Sequence, residues 1–260
     1  MIDPKIRKKI IQNLKKIERT FGVQILYACE SGSRAWGFAS KDSDFDVRFV
    51  YVRPVNEYLS IKDSRDVIEN PISESLDITG WDIKKALRLF KSSNPSLLEW
   101  LDSPVVYRNE YRFAARMKKL VPYVYSPKSC FYHYLHMALR NRKAYFQGER
   151  VSAKKYFYVL RPIFACKWIR KTKKPVPMLF DELLGKVIKD KRLLMEIDNL
   201  LAKKKAGYEF DKEPKNPILD EFILKEMAKL EAVQMPDRLN NRSIKRLDDF
   251  FRKILSEAWD

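Results

Sequence analysis

The stretch from Val23 to Arg53 limits the folds open to this chain more than any other. Val23–Cys29 is an apolar run of strand length. Phe45–Arg53 is a clearer strand, in which Phe45, Val47, Phe49 and Tyr51 alternate with Asp46, Arg48, Val50 and Val52, and Pro54 ends it. Alternation has the two-residue period of a strand, not the 3.6-residue period of a helix. Between the two runs lie Gly32 and Gly37, two of only seven glycines. The segment therefore reads as strand, glycine-bearing turn, strand.

Other elements follow from spacing and punctuation. Residues 4–20 predict an amphipathic helix, with Ile6, Ile10, Ile11, Leu14 and Ile17 at helical intervals and Asp3-Pro4 as cap and first turn. Ser75–Thr79 predicts a third strand, followed by helices over 82–91 and 96–101. From Val121 the texture changes. Ser126-Pro127 marks a helix start, two long helical stretches fit 127–147 and 152–170, a basic proline-broken loop spans 171–177, and three or four helices fit 178–204, 217–234 and 242–257. The expected architecture is α+β over residues 1–122, a mixed sheet with flanking helices, followed by an all-helical C-terminal domain over 123–260.

Chemistry concentrates in Glu30–Val52. Asp44 and Asp46 point to the same side of a strand, about 6.6 Å apart at Cα. Two adjacent carboxylates repel unless something neutralises them, and a divalent cation does so. Mg²⁺ prefers hard oxygen ligands, commonly one or two carboxylates plus substrate phosphates. Gly32-Ser33 sits at a strand-to-helix turn, where backbone can approach a phosphate closely. Asp77, central in the third strand, is the expected third carboxylate of a two-metal arrangement. Arg34 is a candidate phosphate contact. Lys154, Tyr158 and Arg161 fall at i, i+4, i+7 and share a helix face that could hold the nucleotide triphosphate or an RNA phosphate, or simply face solvent. Trp36 and Phe38 are expected to pack the loop. Cys130, His133 and His136 lack the spacing and the fourth ligand of a zinc site.

Charge bears on partners. The chain holds 52 Lys and Arg against 34 Asp and Glu, a net +18. The excess is greatest in residues 140–174, with 12 basic residues against one acid, Glu149. Interleaved with Tyr145, Phe146, Tyr156, Phe157, Tyr158 and Trp168, this segment suits a nucleic acid strand, which is gripped by charge and by base stacking. No apolar run approaches the length of a membrane helix. The charged N-terminus predicts no signal peptide and a cytoplasmic location, and three scattered cysteines predict reduced thiols.

Gly32-Ser33, ten residues, then Asp44-Phe45-Asp46-Val47 resembles the signature of the DNA polymerase β-like nucleotidyltransferase superfamily. The segments ESGSRAWGFASKDSDFDVRFVYVRP (30–54), LDITGWDIKKALRLF (76–90), NPSLLEWLDSPVVY (94–107) and KKYFYVLRP (154–162) resemble the RlaP-type nucleotidyltransferases. Ser31 departs from the superfamily pattern, where a hydrophobic residue is usual. The resemblance implies a minimal nucleotidyltransferase core with a helical extension. It makes Gly32 and Ser33 triphosphate contacts, Asp44 and Asp46 metal ligands and Asp77 the third carboxylate. The implied reaction moves an NMP from an NTP, with ATP preferred, to a hydroxyl, using two Mg²⁺ ions with Mn²⁺ as the substitute. The family's association with RNA repair makes an RNA end the preferred acceptor, with tRNA among the candidates. Two alternatives stay open: a protein or small-molecule hydroxyl as acceptor, and a catalytically idle RNA-binding module.

Overall fold

The computed structural model describes residues 2–73, 75–208, 211–236 and 244–260. Helix α1 (Pro4–Phe21) is capped by Asp3, whose carboxylate accepts from the Lys5 N–H at 2.7 Å. Its Ile10, Leu14 and Ile17 recur at i, i+4, i+7 and are buried.

Five strands follow: β1 (Gln24–Glu30), β2 (Phe45–Val52), β3 (Val67–Ser73), β4 (Leu76–Asp82) and β5 (Val106–Asn109). They form one mixed sheet in the order β3-β4-β2-β1-β5. β2 runs parallel to β4, and the other pairings are antiparallel. A parallel pair cannot be closed by a tight hairpin. Here the crossover carries α3 (Val55–Tyr58) and β3. The sequence pattern anticipated β1, β2 and β4 but neither edge. β3 contains Pro71, a residue tolerated in sheets at edges, and β5 has only four residues.

The alternation in β2 decides where the sheet is covered. Phe45, Val47, Phe49 and Tyr51 pack with the buried face of α1. On the opposite face Val50 and Val52 join a larger core with α4 (Ile83–Lys91) and α5 (Pro95–Leu101). Asp46 and Arg48, earlier on that face, remain half-buried. The helical cover thus stops short of the first half of β2 and leaves a mouth there.

The rest is helical: α6 (Phe113–Val124), α7 (Pro127–Tyr145), α8 (Ala153–Thr172), α9 (Phe180–Val187), α10 (Lys191–Lys205), α11 (Pro217–Glu231) and α12 (Ile244–Trp259). Residues 242 and 243, placed in the last helix by the sequence pattern, lie outside the described residues. A short ribbon of β6 (Arg150–Ser152) and β7 (Lys212–Pro214) sits beside α8. The fold is α+β, a mixed sheet with flanking helices and a helical C-terminal part. No helix among the described residues is long and apolar enough to cross a membrane.

α8 is central to the helical part, against α7, α9, α10 and α11. Tyr156 and Phe157, read as stacking groups for a nucleic acid, are 2% and 1% exposed. The Tyr156 hydroxyl is held by Asp220, and the Phe157 ring packs between Phe38 and Phe180 at the base of the cavities, so neither is presented along the helix surface.

Candidate active site

The mouth beside β2 is built around one turn. β1 ends at Glu30, and the Ser31 N–H donates to the Asp46 carbonyl at 2.8 Å. Gly32 then takes φ +59° and opens the five-residue helix α2 (Gly32–Trp36). A Cβ on Gly32 would stand 2.1 Å from Asp46 Oδ2. Both the left-handed backbone and the contact demand glycine, and the turn lies directly on the Asp46 carboxylate.

Asp46 is held from two sides. Its N–H donates to Glu30 Oε1 at 2.8 Å, and its Oδ1 accepts from Arg48 Nη2 at 2.9 Å. Asp77 on β4 is its register partner across the parallel pair. The same Arg48 nitrogen reaches Asp77 Oδ2 at 2.7 Å, while Asp77 Oδ1 accepts from the Thr79 hydroxyl at 3.2 Å. Burial pushes the Asp46 carboxyl above its ordinary pKa; Arg48 opposes this, and Asp77 and Asp44 add to it. Glu30 is fully buried and accepts from the Tyr107 hydroxyl. Burial raises it to about 7 against the pull of the hydrogen bonds from Tyr107 and the Asp46 N–H.

Asp44, at the entrance of β2, is exposed. Its carbonyl accepts from Arg34 Nε at 3.1 Å, and the Arg34 guanidinium lies 3.8 Å from the Phe45 ring centre. Arg34 also donates to the Ser43 carbonyl. Its guanidinium is thus engaged with the loop that presents Asp44.

The opposing wall comes from the helical part. Gly32, Ser33, Asp44 and Asp46 share one cavity with Lys154 and Tyr158 of α8 and Lys204 of α10. The Lys204 side chain is buried, and burial followed by repulsion from Lys154 lowers its pKa to about 8. Arg161, expected beside Lys154 and Tyr158, lies outside this cavity. It is 3% exposed and pairs with Glu99 of α5 at 2.6 Å, where Tyr134 of α7 also donates. Its guanidinium stacks 4.6 Å from Trp36. This buried knot ties α5, α7 and α8 together and so sets Lys154 and Tyr158 opposite the glycine turn. Phe38 is buried and packs on Phe157 and Phe180.

Among the described residues no three His, Cys, Asp or Glu side chains form a metal-ligating group. Asp46 and Asp77 are adjacent but joined through Arg48. The chemistry of the donors still fits Mg²⁺, which is usually held by one or two carboxylates together with substrate phosphates. Asp44 and Asp46 face the same cavity as the glycine turn and two lysines.

Three residues of this site are not among those the sequence pattern singles out. Arg48 was readable in principle, because a strand period of two places it beside Asp46. Glu30 and Lys204 were not: one is a lone acid at a strand end, and the other sits in a lysine run some 158 residues beyond Asp46 (204 − 46).

Residues 6–253 match the RNA repair pathway DNA polymerase beta family, RlaP. The uncharacterized protein YcgL of Bacillus subtilis (strain 168) is 45% identical over 255 residues, covering 98% of each chain. A solved nucleotidyltransferase-like protein from Exiguobacterium sibiricum aligns over 95% of this chain and 80% of its own, at 11% identity and a TM-score of 0.29. That last likeness is too distant to bear on the site.

Proposed function

The chain belongs to the RNA repair pathway DNA polymerase beta family, a family of nucleotidyltransferases, and from that premise we propose that it transfers an NMP from an NTP, ATP preferred, to a hydroxyl on an RNA end, tRNA included. The observation that carries the proposal is the cavity in which the Gly32-Ser33 turn, Asp44 and Asp46 meet Lys154 and Lys204.

The residues divide the work by charge. The Gly32-Ser33 backbone and the two lysines receive the β- and γ-phosphates, whose negative charge grows as pyrophosphate departs. Asp44 and Asp46 would hold Mg²⁺, with Mn²⁺ as the substitute. Bound there, the ion neutralises phosphate charge and polarises the α-phosphoryl group. Glu30 and Arg48 orient Asp46 through its N–H and its Oδ1. The acceptor oxygen bonds to the α-phosphorus as the bond to the bridging oxygen breaks. Asp77 takes the proton of the acceptor hydroxyl. Covalent participation by the protein is not required, because positioning and charge compensation supply the rate.

Incubating the protein with α-labelled NTPs, Mg²⁺ and a panel of RNA, protein and small-molecule acceptors tests this. Label on RNA ends is the expected result. Label only on another acceptor class would replace RNA, and RNA binding with no label on anything would reduce the protein to a binding module. Asp46→Ala is expected to abolish transfer without unfolding the chain.

A further inference from the structure

A second cavity adjoins the lysine-lined one at Gly32 and Asp46, and nothing in the proposed phosphate chemistry uses it. It measures about 420 Å³, within the usual range of small-molecule sites. Both cavities are bordered by Gly32, Trp36, Asp46, Phe157 and Tyr158. Their other walls differ in kind. The first has Lys154 and Lys204. The second has Trp81, Trp100, Tyr134 and Met137, with Ser96 and Asn141 at polar positions. Its charged groups are already matched: Arg48 with Asp46 and Asp77, Arg161 with Glu99. Trp81 is half-buried and its ring centre is 3.9 Å from that of Trp100.

We propose that this aromatic cavity is the acceptor site, and that it takes the terminal base of a single-stranded RNA by stacking. The assignment rests on the nucleotidyltransferase reading and deepens it. In an in-line displacement the attacking and leaving oxygens stand on opposite sides of the phosphorus. Pyrophosphate leaves toward the lysines, so the attacking hydroxyl enters away from them, and the adjoining cavity, which shares Gly32 and Asp46 but neither lysine, is the one that can admit it. Trp81 and Asp77 are both on β4, four residues apart, and strand alternation puts them on one face. A base against Trp81 would bring its own ribose hydroxyls toward Asp77. Aromatic walls with no unmatched charge suit a π-face of any base. The basic 140–174 segment, which includes Asn141 and Tyr158 of the cavity wall, supplies cations for the phosphates of the following nucleotides.

The test uses a short single-stranded RNA with 2-aminopurine as its terminal base, whose fluorescence is quenched by stacking, and a non-hydrolysable NTP analogue as the second probe. Quenching is expected with the unmodified protein. Trp81→Ala should weaken RNA binding about tenfold, as loss of one stacking partner does. Ser96→Trp, which fills the cavity without removing a core side chain, should abolish quenching. The analogue should bind equally well to all three proteins. Unaltered quenching in both variants, or loss of analogue binding in place of RNA binding, would overturn the assignment, the latter by making this the base pocket of the NTP. Quenching as expected with no transfer to any acceptor would leave the stacking site standing and remove the nucleotidyltransferase reading instead.

Discussion

Gly32→Ala separates the cost of a backbone from the cost of a site. At φ +59° an L-residue is disfavoured by about 1–2 kcal/mol. The new methyl would also overlap Asp46 Oδ2, at 2.1 Å, so the carboxylate must turn away and give up Arg48. That pair has side-chain exposures of 19% and 29%, so its loss adds no more than about 1 kcal/mol. The sum is about 2 kcal/mol, against a domain stability of about 5–15 kcal/mol. The protein should stay folded, with Tm lowered by about 4–8 °C. Transfer of label from an NTP should fall at least about a hundredfold, since misplacing a reacting group by about 1 Å costs that much. Gly22→Ala is the matched control. It has φ +60° with nothing within 4 Å of the added carbon, so it bears the backbone cost alone and should keep its activity. Thermal unfolding and initial rates measured on both variants decide the matter. Equal activity losses would trace the effect to stability. Wild-type kcat/KM in Gly32→Ala would remove Asp46 from the reacting centre.

Further outcomes follow from buried charge. Lys204, lowered to about 8, loses its proton above that pH in the free enzyme, so kcat/KM for the NTP should decline above pH 8, and Lys204→Arg should flatten that decline; an unchanged profile would exclude Lys204 from phosphate binding. Glu30, raised to about 7, binds more proton folded than unfolded between pH 4.5 and 7. Its contribution to stability is therefore full below about 4.5 and is lost as pH rises through 7, on the order of 3 kcal/mol in all. Glu30→Gln should remove that slope from a plot of Tm against pH. Breaking the buried Arg161–Glu99 pair by Arg161→Met should cost about 3–5 kcal/mol, and adding Glu99→Leu should restore much of it, both read by denaturant unfolding; equal stability of single and double variants would refute the role given to the knot.

What the sequence made legible follows the range of the forces involved. The alternation of Phe45–Tyr51 and the i, i+4, i+7 spacing of Ile10, Leu14 and Ile17 are local, and the elements they predict are present. Strand alternation places Asp46 and Asp77 each on the polar side of its own strand, and the parallel register sets them side by side. The face shared by Lys154, Tyr158 and Arg161 shows the limit of such reasoning. Helical spacing states which residues lie on one side of α8, but not how far along that side the cavity extends. Lys154 and Tyr158 fall at the lysine-lined cavity, and one turn further Arg161 meets Glu99 in the core. A charged side chain on an apolar helix takes whichever partner tertiary packing brings, and that partner sits 62 residues away in sequence. The same holds for Lys204, which joins the site only because α10 packs on α8. The carboxylates and the glycine turn were readable because they lie within one strand–turn–strand unit. The cations facing them were not, because they arrive from helices folded over its open side. Substitutions in the core contacts of α8 should therefore alter NTP affinity without touching any residue that meets the nucleotide.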